Sequence, residues 1–196
     1  MPDKYPLPDD IVREFVIASH FDLPKVKALL ADHPGLLTIM YDWGEGGQED
    51  GLGAASHVGN REIAEFFLSR DVPLTICAAA MLGRVEDVRR FIDANPLLAN
   101  ARGAHGITVM FHAALGGNVS LAQLLKDRGC HEGFSHALHG AIIYGHTAMV
   151  EWLLKSGVQD VNVADYQQKT PLARAIEHGH TVIADLLRQH GGKEEA

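Results

Sequence analysis

The stretch YGHTAMVEWLLKSG, residues 144–157, reappears as HGHTVIADLLRQHG at 178–191, a displacement that carries Gly145 onto Gly179. A period of this order marks a stacked-repeat architecture before any single helix is assigned. The same turn followed by an amphipathic helix recurs as VGNREIAEFFL from Val58, LGRVEDVRRFI from Leu82 and GGNVSLAQLL from Gly116, with a degenerate first copy, HFDLPKVKALL, from His20. Each copy follows a short apolar run: IVREFVIAS, GLGAASH, ICAAAM, TVMFHAAL, HALHGAII or PLARAIE. The unit is therefore helix, turn, helix. Small residues such as Ala54, Ala79, Ala113 and Ala141 let neighbouring helices approach closely, and the spacing of Met149, Val150, Leu153 and Leu154 gives the second helix one apolar stripe. No single pair buries that stripe alone, so the units stack into a quasi-one-dimensional solenoid.

On these residues the chain resembles ankyrin repeats. Thr170, Pro171 and Leu172 match the family's Thr-Pro-Leu-His opening, Leu138 and His139 match its Leu-His pair, and Gly145-His146 and Gly179-His180 match the inter-helix turn. Thr-Pro is complete only in the last unit. Proline suits the first helical turn because its missing N–H has no intrahelical partner there. The resemblance implies an all-α solenoid of helix-turn-helix units with hairpin-like finger loops. It reads as one domain over 1–196, with units near 9–40, 41–71, 72–102, 103–133, 134–166 and 167–194. It further implies that His139, His146 and His180 hydrogen-bond backbone between units.

Phe21, Gly59, Gly83, Gly117, Gly145 and Gly179 mark the turn of each unit and serve as a ruler. The steps from Gly83 to Gly117 and from Gly145 to Gly179 are full repeats, and the step from Phe21 to Gly59 is longer still. Those from Gly59 to Gly83 and from Gly117 to Gly145 are short, and each lacks roughly the length of a finger. Fingers are expected at 31–50, 95–107 and 157–169, leaving gaps in the row through which something can enter the concave groove. Mapped onto the family pattern, the ends of the first helices line that groove: His57 and Val58, Met81 and Leu82, Leu115 and Gly116, Ile143 and Tyr144, Glu177 and His178. The expected footprint for a partner is this apolar strip together with Tyr41, Asp42, Trp43 and Glu49 of the long first finger. An alternative is that Met81, Leu82, Leu115 and Ile143 pack beneath that finger.

Composition removes several other classes. The chain is 46% hydrophobic and 21% charged, and it has no apolar run of transmembrane length. Its net charge of -8 speaks against a nonspecific nucleic-acid binder. It also leaves the first finger, with Asp42, Glu45, Glu49 and Asp50, as an acidic element suited to a basic hot spot on a partner. Cys77 and Cys130 form no CxxC pair, and MPDKYPLPDDIVREF lacks the basic start and apolar run of a secretory leader, so a cytoplasmic location is expected. Acids after Pro8 and glycines at 191 and 192 are expected to finish the two end helices.

Twelve histidines raise the question of metal or general-base chemistry. His131, His136 and His139 have a superficially zinc-like spacing but lack a well-placed carboxylate or thiolate ligand. GEGGQEDG has glycines but no lysine, and its acids repel phosphate. His105 and His112 lie two stacked layers from His57, roughly 20 Å away unless a loop bridges them. The leading expectation is a non-enzymatic, monomeric protein-interaction module without cofactor, metal, nucleic-acid or membrane partner. The alternative is a small-molecule or metal-binding site, with catalysis left open, under the first finger at His57 with Glu49 or Asp42.

Overall fold

Five of the six inter-helix turns are closed by a glycine at positive φ, between 67° and 79°, at Gly59, Gly83, Gly117, Gly145 and Gly179. At Gly117 two constraints coincide: φ is 69°, and a Cβ would stand 2.7 Å from the His146 ring of the following unit. In the computed structural model, which describes residues 7–195, these turns join successive helix pairs. The pairs are α1 Asp9–Phe21 with α2 Leu23–Asp32, α3 Gly51–His57 with α4 Arg61–Leu68, and α5 Ile76–Met81 with α6 Val85–Ala94. Then follow α7 Val109–Gly116 with α8 Val119–Asp127, α9 Phe134–Ile143 with α10 Thr147–Ser156, and α11 Pro171–Glu177 with α12 Thr181–Gln189. The first six residues, on which the leader reading partly rests, and Ala196 lie outside the described residues. Asp9 and Asp10 sit in the first turn of α1, where they favour the helix dipole without capping it.

Local chemistry sets most helix starts. Asp50, Asn60, Thr75, Thr108, Asn118 and Thr170 each accept a backbone N–H of their helix's first turn. The alanines of α3, α5 and α7 are wholly buried, and α3 touches both α5 and α7. Two apolar clusters make the core: one joins α1–α4 to Ala78, Met81, Leu82 and Leu115, and the other runs from α5 to α12.

This packing corrects the expected apolar strip. Met81, Leu82 and Leu115 are buried within the first cluster and present no surface to a partner. Short inner helices crowded on alanine draw these residues inward. Farther along the inner face, the Tyr144 hydroxyl donates to the Val58 carbonyl at 2.7 Å, linking the fifth pair directly to the second.

Longer connections follow α2, α6 and α10. The first contains the two-residue strands β1 Tyr41–Asp42 and β2 Gln48–Glu49, paired antiparallel, and the second closes on a bridge between Arg102 and Thr108. Only a short segment separates α4 from α5, and likewise α8 from α9. With no finger between them, Ala104–Gly106 packs on Gly44–Gly46, on β2 and on α3.

A histidine ties one unit to another, as the resemblance implies, at His146 alone of the three positions, and the His139 bond stays within its own unit. His139 Nε2 lies 2.9 Å from the Val163 carbonyl, and His146 Nε2 lies 3.0 Å from that of Leu115. His180 differs: its Nε2 is buried without a hydrogen-bond partner while the ring stacks on His178. Replacing His146 by alanine is expected to cost about 1–2 kcal/mol of stability, because the Leu115 carbonyl loses its donor and the ring leaves Gly117 uncovered. Urea denaturation of the two proteins measures that difference.

Candidate functional site

The contact between the first finger and the one at 95–107 builds a site that neither could form alone. β2 delivers Glu49, which is 1% exposed, to the ends of α1 and α3, where His20 and His57 sit. The connection after α6 brings His105 from the other side. His105 adopts φ 55° and ψ 20°, a left-handed conformation that costs a non-glycine residue free energy. Gly46 lets it approach, since a Cβ there would stand 3.3 Å from His105 Nδ1.

Glu49 Oε1 lies 2.9 Å from His57 Nδ1; the other oxygen lies 3.4 Å from His105 Nε2 and 3.8 Å from His20 Nε2. Trp43 Nε1 donates to Oε2 at 2.9 Å. Despite their proximity, Glu49 Oε1 and His57 Nδ1 are out of hydrogen-bonding alignment, so both are buried without a hydrogen-bond partner. His20 Nδ1 donates to the Val16 carbonyl at 2.9 Å, which leaves Nε2 as the ring's lone-pair atom facing Glu49. The rings of His20 and His57 are 4.9 Å apart, and those of His57 and His105 5.2 Å.

Burial raises the Glu49 carboxyl pKa, but contact with His57 and the charges of His20 and His105 outweigh it and hold the group below the usual range. Burial, reinforced by His57, lowers that of His20 against the pull of Glu49. The site is thus a buried carboxylate whose ion-pair partners among the described residues are all histidines.

Beside it, where a finger is missing, opens a cleft of about 460 Å³ lined in part by Glu49, Thr75, Cys77, Arg102 and His112. Its Cys and His do not make a nucleophile pair. Burial pushes the Cys77 thiol up to about 12 and His112 down to about 4, so neither a thiolate nor an imidazolium is present near neutrality.

Of the residues singled out in the sequence, Glu49 and His57 meet, with Trp43 as a hydrogen-bond donor. Tyr41 packs edge-on against Trp43 at 4.6 Å, supporting it from outside. Asp42 does not join them: it is exposed and its carboxylate accepts the Gly44 N–H. Asp50 caps α3, so of the first finger's four acids Glu45 remains as an exposed carboxylate without a turn or cap to hold. Asp42 and Glu45 are thus the exposed carboxylates of that finger. Tyr144 and His178 are exposed; Tyr144 reaches the Val58 carbonyl, next to His57, without joining the cluster.

His20 and His105 were absent from the expected site. Two-layer spacing kept His105 distant, yet the shortened connection before α5 lets its loop bridge that gap. The short interval from Gly59 to Gly83 was the available signal. His20 showed only as the start of the degenerate first copy.

Residues 126–195 match the family model for ankyrin repeats in three copies. An ankyrin repeat protein of Fowlpox virus (strain NVSL) is 26% identical over 118 residues, covering 58% of this chain; the match spans 27% of that protein's length. The crystal structure of an ankyrin repeat domain from Acinetobacter baumannii AYE is 23% identical and superposes with a TM-score of 0.51, covering 92% of this chain and 98% of that one. The repeat signature of residues 126–195 and the likeness to that domain's structure show that the chain has the ankyrin-repeat fold.

Proposed function

We propose that the protein is a non-enzymatic interaction module, a single domain of six units that binds another protein along the inner edge of its last two units and at its finger tips. Repeats of this kind generally serve as protein-binding scaffolds, and their extended inner surface is the usual contact. The observation that carries the reading is a row of exposed side chains at the ends of α9 and α11. Ile143, Tyr144 and Ile176 are 42%, 48% and 42% exposed, with His178 beside them. Apolar and aromatic groups grouped in this way are typical contact anchors. Leu97 and Tyr166, in the second and third long connections, extend further from the body. The footprint therefore moves from Met81, Leu82 and Leu115 toward the C-terminal half, with Tyr41, Asp42 and Trp43 at its other end.

A monomer in a reducing, cytoplasmic compartment, without nucleic-acid or membrane partners, fits this reading. Both cysteines are free and buried, and no helix among the described residues is long and apolar enough to cross a membrane. The test is affinity capture with the wild type and an Ile143→Glu, Ile176→Glu variant, followed by titration of each captured protein after purification. A partner whose affinity falls at least about tenfold with the variant supports the footprint. Partners that bind both forms equally overturn it.

A further inference from the structure

We infer that His20, Glu49 and His57 form a binding site for a divalent transition metal of the zinc class, closed by His105. This does not depend on the partner reading, whose test alters Ile143 and Ile176 and none of the proposed ligands. The donor atoms of His20, Glu49 and His57 all lie within 4.8 Å of one another. Donors around a tetrahedral zinc ion stand roughly 3.3 Å apart, so the Glu49–His57 pair, now at 2.9 Å, must part slightly while His20 draws in. Two imidazoles and a carboxylate are a donor set that such ions take, whereas the hard cations Mg²⁺ and Ca²⁺ prefer all-oxygen sites.

Three further features are those of a ligand set held ready. First, the Glu49 oxygen and His57 nitrogen that face each other are both buried and make no hydrogen bond. Buried polar atoms are costly to leave unsatisfied, and a cation between them satisfies both. Second, the outer contacts orient the donors: the Val16 carbonyl turns the His20 lone pair inward, and the Trp43 indole holds the other Glu49 oxygen. Such second contacts are the usual support of metal ligands. Third, His105 is kept in a left-handed conformation with Nε2 3.4 Å from Glu49 Oε2, within reach of a fourth position. Bound metal would clamp the first finger to α1, α3 and the His105 loop, across the gap left by the absent finger.

The test uses the full chain, freed of metal with chelator, then dialysed against Zn²⁺ and titrated with Co²⁺ as a spectroscopic probe. Wild type is expected to retain one Zn²⁺ per chain, to melt at a higher temperature with Zn²⁺ than with chelator, and to give the intense visible bands of tetrahedral Co²⁺. Glu49→Gln, which keeps the shape of the side chain, should lose the metal and the Zn²⁺-dependent rise. Trp43→Phe should bind about 10–100-fold more weakly, as expected for a supporting contact. A His131→Ala, His136→Ala variant, altering two exposed histidines elsewhere, should bind as wild type does. The inference fails if wild type retains no Zn²⁺, if Glu49→Gln retains it equally, or if the His131, His136 variant loses it. Circular dichroism of each variant in chelator separates lost binding from lost folding.

Discussion

Replacing Phe67 by alanine is expected to destabilise the protein by about 3–5 kcal/mol, the range for removing a fully buried aromatic side chain. Phe67 projects from α4 with no exposed surface and meets Phe15 of α1 edge-on, with centroids 5.9 Å apart at 85°. Its ring also fills the space that a side chain at position 51 would occupy: a Cβ on Gly51 would stand 2.3 Å from the ring tip. Glycine at the start of α3 is thus a packing requirement. The void left by Phe67→Ala is bounded by helix backbone on that side, so it collapses poorly and the cost falls at the upper part of the range. Gly51→Ala should also destabilise, by overpacking, and the two changes together should cost less than their sum because the new methyl enters the vacated space. Urea denaturation of the two single variants and the double variant measures all three values. A Phe67→Ala cost below about 1 kcal/mol, or strict additivity, contradicts this account of the contact.

The repeat was legible because its signals are local. A glycine at positive φ, an Asn or Thr cap before the second or first helix, and an apolar stripe leave marks within a single helix pair, and 144–157 against 178–191 preserved the turn and the stripe. The lengths of the connections were legible for the same reason. What the sequence did not carry was the direction in which residues turn once units stack. Met81, Leu82 and Leu115 occupy positions that face the groove in an ideal repeat, but short helices crowded on alanine bury them here. The candidate site shows the same division. Glu49 and His57 were recoverable from one finger and the helix after it, close together in the chain. His20 and His105 lie far from Glu49 in the sequence, one on each side, and their meeting depends on a missing finger that removes the spacer between two others.

Acidification should unfold the protein in part through His112. This residue lies within α7, is 1% exposed, and donates from Nδ1 to the Thr108 carbonyl at 2.9 Å. Burial is the main cause that lowers its pKa from 6.5 to about 4; the Thr108 carbonyl opposes the shift, and the charge of His57 adds to it. Cys77, close by on α5, remains a neutral thiol and offers no compensating charge. Above 6.5 the ring is neutral both folded and unfolded, and the stability it contributes is fully present. Between 6.5 and about 4 the unfolded chain takes up a proton that the folded chain refuses, so stability falls with pH across this window and levels off for this group below it. The gap corresponds to on the order of 3 kcal/mol. His139 and His20, also lowered, act in the same direction, whereas Glu49 loses its contribution at lower pH, as its carboxylate is protonated. The contribution of His112 is isolated by comparing wild type with His112→Gln, in chelator, by urea denaturation at several pH values from neutrality down to about 4. The variant should be less stable than wild type near neutrality, where it lacks the ring's packing, and should lose less stability on acidification. The difference between the two slopes should approach one proton in the middle of the window. Equal slopes would mean that His112 is protonated in the folded protein, with a counter-charge or water reaching it through the cleft that it lines.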